Sequence, residues 1–263
     1  MAAPQARAAV VAEPLTDARP GPLADILPDP LPDALPEPAL LSIIIPILNE
    51  AECLDKSLSR LFEDPWIARN GEVIICDGGS RDDSLAIANR YPCRIVHSTA
   101  GRALQMNKGA EIARGLQLLF LHADSVLPDK LGEQFPATAP WGYFHLRLDD
   151  KAVVYRIIES AINLRSRVTR VAGGDQGLFF RRDFFYSLGA FPAIPLMEDI
   201  AICKLARRQA KPLMIPSPVQ SSSRRWQNNG VIKTILLMWS LRLAYWLGVD
   251  PDRLHRIYYP RQG

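Results

Sequence analysis

Three stretches decide the fold: LSIIIPILNE (Leu41–Glu50), GEVIICDGGS (Gly71–Ser80) and LQLLFLHADS (Leu116–Ser125). Each is a short β-branched or leucine-rich run that ends in polar side chains. Apolar runs of this length, bounded by turn residues, have the pattern of strands covered on both faces. The segments Glu52 to Phe62, Asp82 to Tyr91 and Arg102 to Arg114 between and around them read as helices, and CRIVH (Cys93–His97) adds a strand. Strands alternating with helices predict βαβ units and a mainly parallel sheet. Ligands of such sheets sit beyond the carboxyl ends of the strands. Asn49 and Glu50, Asp77 to Ser80, and His122 to Asp124 all stand at those ends.

Working outward, WGYFHLRL (Trp141–Leu148) reads as a strand and Val153 to Val171 as an amphipathic helix. GGDQG (Gly173–Gly177) is a tight polar turn before LFFRR, and Ile200 to Arg208 is a helix following MED. A long helix is expected over Val231 to Leu247. Residues 1–39 form a separate zone, with a repeated Leu-Pro-acid unit in LPDPLPDALPEPAL, and are expected to be a disordered proline-rich arm.

Composition narrows the function classes. Of 263 residues, 48% are hydrophobic and 22% charged, enough to bury a core; a net charge of +3 argues against a nucleic-acid partner. Cys53, Cys76, Cys93 and Cys203 are scattered with no CxxC pair, which disfavours a zinc site or disulfide framework and suits a reducing cytoplasm. Arg7 is followed by no sustained apolar core before Glu13, so a secretory signal is not expected, and no apolar run is long enough for a membrane span. The glycine patterns of dinucleotide dehydrogenases and P-loop enzymes are missing.

Three constellations carry chemistry. Asp77-Gly78-Gly79-Ser80, followed by Asp82 and Asp83, puts a carboxylate at a strand end beside glycines that let a ligand approach; a strand-to-helix turn closed by an N-cap explains the same residues. In LFLHADS, Asp124 offers a hard oxygen to Mg²⁺ or Mn²⁺, or else caps a helix, while His122 suits a structural part or a substrate contact ahead of metal ligation. In Met197-Glu198-Asp199, the carboxylates either offset a helix dipole or supply a base for a hydroxyl proton.

Taken in order, IIIPILNE, ICDGGSRDDS, FLHADS, GGDQGLFFRR and PLMEDI resemble family 2 glycosyltransferases of the GT-A fold over residues 41 to 225. GRALQMNKGA, LHADS and RRWQNNGVIKT are similar to the arsenosugar-biosynthesis-type glycosyltransferase subgroup. The resemblance implies a GT-A type, Rossmann-like mixed sheet, mainly parallel and flanked by helices, over residues 40–225, with a C-terminal helical extension over 226–263. It implies a hexosyltransferase with a nucleotide-sugar donor, UDP-linked, a divalent metal (Mn or Mg) and an inverting mechanism.

By position, Pro46, Asn49 and Glu50 hold the nucleoside and Asp77 reads its base. Asp124 matches the last aspartate of the family's metal-binding DxD, and His122 stands where most members have the first, leaving metal coordination to one carboxylate. Asp199 matches the inverting base; Gly174, Asp175 and Gln176, with Glu198, fall on the acceptor side. Arg102 and Lys108 are placed to reach the diphosphate. Alternatives are a nucleotidyltransferase, a catalytically silent sugar-nucleotide-binding module or a membrane-recruited interaction protein.

Arg156, Arg165, Arg167 and Arg170 read as a solvated face of their helix. Ile235, Met238, Trp239, Arg242, Tyr245 and Trp246 share a helical flank, which predicts either peripheral membrane contact on the cytoplasmic face, packing on the domain, or a homodimer contact.

Overall fold

The computed structural model describes residues 40–136 and 138–259, all within the unit Leu35–Gly263. The proline-rich arm expected over 1–39 lies outside the described residues. β1 (Leu41–Ile47) leads to α1 (Ala51–Glu63) and the short α2 (Pro65–Asn70), followed by β2 (Gly71–Asp77), α3 (Ser84–Ala88) and β3 (Arg94–His97). α4 (Arg102–Ile112), β4 (Gln117–Phe120) and α5 (Leu131–Gln134) complete the first half. The second half runs β5 (Trp141–Leu148), α6 (Val153–Thr169), a 3₁₀ turn at Gly174–Gln176, β6 (Leu178–Arg181) and α7 (Arg182–Ser187). It continues through α8 (Glu198–Gln209), β7 (Leu213–Ser221), α9 (Arg224–Asn229), α10 (Val231–Trp246) and α11 (Pro251–Tyr258).

The seven strands form one sheet in the order β3-β2-β1-β4-β6-β5-β7. β1, β2, β3 and β4 pair in parallel, as do β5 and β7, while β6 runs antiparallel to both its neighbours. The sheet is thus mixed and mainly parallel, as expected. Successive side chains of β1 enter opposite layers. Ile43 and Ile45 pack with Leu54, Leu58 and Phe179, and Ile44 packs with Ile74, Phe120 and Phe180. A strand covered on both faces needs this unbroken apolar run, and burying each isoleucine contributes roughly 1.5–3 kcal/mol. The second layer is closed by aromatic rings: Phe120 meets Phe191 edge-on at 4.8 Å, and Trp141 stacks on Phe180 at 6.0 Å.

Several boundaries differ from the sequence reading. The helix expected over Asp82 to Tyr91 is only Ser84–Ala88, because Asp82 accepts from Ser84 N and from Ala51 N and so ties the approach to α3 onto α1. The helix expected from Ile200 begins at Glu198, so both carboxylates of MED lie in its first turn. β7 has no counterpart in the sequence reading: its two prolines, Pro216 and Pro218, argue against a strand, and its pairing with β5 shifts register between Phe144 and His145. Among the described residues no helix is long and apolar enough to cross a membrane.

α4 is the helix that fixes the carboxyl ends of β1 and β2. Buried Gln105 donates through Nε2 to the Ile47 and Cys76 carbonyls, both at 2.7 Å, adding to the bond that Ile47 O accepts from Gly78 N at 2.9 Å. One turn later, Gly109 lets the helix lie directly on the sheet. A Cβ there would meet Cys76 Sγ at 2.5 Å and Ile44 Cγ2 at 2.6 Å. Gly109→Ala should therefore lower stability by about 1–3 kcal/mol through overpacking, although alanine is the better helix former. A urea midpoint equal to or above the parent's would show that α4 can lift off the sheet at no cost.

Candidate functional site

A cavity of about 1320 Å³ opens at the carboxyl ends of β1 and β4, roofed by α6 and the α9–α11 segment. Pro46 near the end of β1 and Glu50 beyond it line the cavity, as do His122 and Asp124 after β4. β2 and β3 lie on one side of β1 and β4 on the other, so the strand order reverses here and the following loops diverge. Gly174, Asp175 and Asp199 enter from the mixed half of the sheet, and Arg102 from the first turn of α4.

The loops after β1 and β2 are laced together. Asn49 N donates to Ser80 Oγ at 3.0 Å, Glu50 N to Ser84 Oγ at 2.8 Å, and Arg81 N to Asn49 Oδ1 at 2.8 Å. Asn49 itself holds a left-handed backbone at φ 57°, a conformation that asparagine tolerates better than most residues. Asn49 and Asp77 therefore act here through the loops and do not line the cavity.

Asp77 corrects the expectation of a carboxylate aimed into the cleft. It is 1% exposed, and its oxygens accept from Gly79 N at 3.1 Å and Ser80 N at 3.0 Å, with His97 Nδ1 at 3.3 Å. Burial pushes this carboxyl up, but the hydrogen bonds from Ser80, Gly79 and His97 prevail and hold it below the ordinary aspartate range.

The other half of the site converges on the GGDQG turn. Gly174 N donates to Asp199 Oδ2 at 2.8 Å. A Cβ on Gly174 would stand 2.8 Å from His122 Nε2 and 3.9 Å from Asp199 Oδ2. Only glycine lets the imidazole and the carboxylate close on the same backbone from two sides.

Gln176 corrects the expectation of an acceptor contact, being fully buried. Its Oε1 accepts from Ser166 Oγ at 2.6 Å and Gly173 N at 3.2 Å, and its Nε2 donates to Phe144 O at 3.3 Å, which pins the turn to α6 and β5. Lys108 is a second correction. It lies about 240° round the helix from Arg102 and pairs with Glu111 at 2.6 Å, away from the cavity. Glu198 is a third: at 6% exposed it sits behind the cleft wall, and burial, reinforced by Asp199 and opposed by Arg102, pushes its carboxyl up.

Charges of both signs alternate around the cavity. Burial pushes Glu50 up, and neighbouring Asp124 adds to the shift, while Arg102 and Arg224 oppose it. Asp124 is likewise raised by burial and restrained by Arg102 and Arg224. Among the described residues no group of three His, Cys, Asp or Glu side chains is gathered to hold a metal ion. Asp124 and Glu50 both line the cavity and each offers hard carboxylate oxygens. That donor set fits Mg²⁺ or Mn²⁺ completed by ligand oxygens and water.

Four arginines on the cavity wall were not expected there from the sequence: Arg165, Arg224, Arg225 and Arg242. Arg165 was expected on a solvated face. One and two turns earlier, Ile162 and Ile158 point inward, and that register was the available signal.

His122 is held neutral. Burial, with Arg102 and Arg225 nearby, depresses its imidazole to about 3 from the ordinary 6.5. Below 6.5 the unfolded chain binds a proton that the folded chain refuses, so this residue's contribution to stability is lost as pH falls towards 3. His122→Gln should flatten the fall in melting temperature across that window. Parallel pH profiles for the two proteins would show that His122 is not the group responsible.

Comparison with known proteins agrees with this geometry. Residues 42–137 match the family described as Glycosyl transferase family 2. A PGL/p-HBAD biosynthesis glycosyltransferase of Mycobacterium tuberculosis is 29% identical over 168 residues, covering 58% of this chain and 63% of that protein. The uncharacterized glycosyltransferase YibD of Escherichia coli is 34% identical over 90 residues, 32% of this chain and 26% of that protein. The chain thus spans less than two thirds of the length of these relatives. Among solved structures, Staphylococcus aureus TarS 1–349 in complex with UDP superposes with a TM-score of 0.56 at 16% identity, covering 69% of this chain and 60% of that one. The mannosyltransferase PcManGT of Pyrobaculum calidifontis, in complex with GDP-Man and Mn²⁺, gives 0.55 at 20%, covering 76% and 61%. Its strand order and its cleft at the β1/β4 switch give the chain a GT-A fold, and residues 42–137 within it match glycosyl transferase family 2.

Proposed function

We propose that the chain transfers a hexosyl unit from a nucleotide-sugar donor, UDP-linked, to an acceptor oxygen in one inverting displacement, with Asp199 as the general base. The observation that carries this is the 2.8 Å hydrogen bond from Gly174 N to Asp199 Oδ2. It holds one carboxylate in the cavity that Glu50, Arg102, His122 and Asp124 also line. The donor lies across the carboxyl ends of β1 and β4, its nucleoside by Pro46 and Glu50 and beside the turn that Asp77 closes.

The acceptor oxygen bonds to the anomeric carbon from the side opposite the leaving group. The anomeric C–O bond to the diphosphate breaks, its electron pair departs with the nucleoside diphosphate, and the acceptor proton passes to Asp199. Arg102 and Arg224 face the growing negative charge. A divalent cation, when bound by Asp124 in the cavity that Glu50 also lines, supplies further charge neutralisation at the diphosphate. His122, being neutral, offers the sugar a hydrogen bond without adding charge. Asp175 and Gly174 form the acceptor side. A thermal-shift panel of nucleotide sugars, with and without Mn²⁺, identifies the donor, since a ligand that binds only the folded state raises its stability. Release of pyrophosphate in place of nucleoside diphosphate would replace this reading with nucleotidyl transfer.

Asp199→Asn should cut turnover by about 10²–10⁴-fold while donor binding, followed by calorimetric titration, stays unchanged. Wild-type turnover in that variant would remove Asp199 from the mechanism. Asp124→Ala should weaken donor binding chiefly when Mn²⁺ is present. An equal loss with and without the cation would assign Asp124 a purely structural part.

A further inference from the structure

α10 packs on the domain by one side only. Thr234 and Leu241 are buried, and Leu237 and Tyr245 lie against the core. The opposite side exposes Ile232, Leu236, Trp239, Leu243 and Trp246 at alternating spacings of four and three, which is one continuous helical face. Ile232 and Trp246 at its ends are 74% and 72% exposed. The flank expected from sequence is therefore divided. Ile235 and Tyr245 turn inward, Arg242 enters the cleft, and the two tryptophans face out.

α6 carries a second such row, Val153, Ile157, Leu164 and Val168, with Val153 at 74% and Val168 at 73% exposed. Isolated exposed leucines need no explanation; two rows of large apolar side chains do. Ile157 on α6 and Leu236, Trp239 and Leu243 on α10 also line the cavity that reaches Asp199. The outer part of the cleft is thus an apolar trough between the two helices, and its inner end is charged.

The three helices α6, α9 and α10 carry charge of predominantly one sign, although Glu52 pairs with Arg224 and Asp150 accepts from Gln227 at their margin. α9 and α10 contain no carboxylate, and the single one on α6, Glu159, is 7% exposed and paired with Arg156 at 2.9 Å. Arg225, Lys233, Arg165, Arg167 and Arg242 are the charged residues that remain on these three helices beside Arg156 and Arg224. At the inner end, Arg165 Nε is buried without a hydrogen-bond partner.

We propose that these two rows seat the mouth of the cleft on an anionic lipid bilayer, and that the acceptor is an amphiphile drawn from it, its apolar chain in the trough and its head group at Asp199. The acceptor half rests on the sugar-transfer reading; the docking half does not. A second copy of this chain is the poorer occupant. A twofold contact would oppose two surfaces of the same basic charge, and side chains pushed into the trough would close the way to Asp199. A bilayer supplies negative charge for the basic rim and an interface that suits tryptophan.

The test uses the full chain, floated with phosphatidylcholine vesicles with and without phosphatidylglycerol, at low and high salt. Two variants outside the cavity lining accompany it: Ile232→Asp with Trp246→Asp, and Val153→Asp with Val168→Asp. The parent should float with the anionic vesicles, less so at high salt. Each variant should bind at least about tenfold more weakly while keeping the parent's thermal shift with donor. With vesicles of the source organism's own lipids, labelled sugar should enter the organic-soluble fraction. Absence of flotation with anionic vesicles overturns the docking surface. So does a dimer, seen by light scattering, that the same substitutions dissolve. Label confined to water-soluble product overturns the amphiphilic acceptor alone. A protein that floats but shows no shift with any nucleotide sugar overturns the sugar-transfer reading and leaves the docking surface supported.

Discussion

One buried amide holds the working end of the sheet together. The parallel strands β1 and β2 finish side by side, and the Ile47 carbonyl at the end of β1 accepts from Gly78 N at 2.9 Å. Gln105 donates to that carbonyl and to the Cys76 carbonyl from a single Nε2 group, at 2.7 Å each. Removing it would cost the tie between α4 and both strand ends. The same helix rests on the strands at Gly109, so its height above the sheet is also set. Arg102, in the first turn of α4, is thereby carried to the cleft edge, where the loops after β1 and β4 present their carboxylates. Strand-end bonding, helix packing and placement of a functional charge are one constraint expressed three times.

The cleft is built from charges that would each be costly alone. Glu50 and Asp124 are raised by burial and restrained by Arg102 and Arg224. Asp175 is raised by burial and restrained by Arg165 and Arg242. Two acid-arginine groups thus share the cavity, one on the β1/β4 side and one beneath α10. His122 belongs to neither, because the cationic surroundings and desolvation keep it uncharged. Such a site resists the loss of any single member, since an unpaired buried charge is left behind.

α10 shows how one sequence segment serves two solvents. Its inward side closes the core with Leu241, and Arg242 beside it reaches into the cleft. Arg225 from α9 lies over the Tyr258 ring at 4.3 Å, tying α9 to α11. The helical roof is therefore part of the cavity wall and not an appendage, although it falls outside the segment that matches the family.

Much of the fold was legible because its physics is local. The β-branched runs at Leu41–Ile47 and Gly71–Asp77 can bury both faces only in a parallel sheet, and the polar residues after them fall at the carboxyl ends by chain order alone. Asp124, His122 and Asp199, singled out by their place after apolar strands or before a helix, all line the cavity. What the sequence could not convey was direction. Asp77 and Gln176 have the residue types of a binding site, yet neighbouring amides and carbonyls claim their polar atoms in the folded chain. Lys108 shares a helix with Arg102 but faces away, since helical rotation and packing decide which charge meets the cleft. Arg165 and Arg242 read as surface charges until α6 and α10 close over the same cavity. Residue type and spacing thus determined the sheet and where its ligand-facing ends lie. Only tertiary packing decided which side chains remain available there, because a hydrogen-bonding group already satisfied inside the protein has nothing left to offer a substrate.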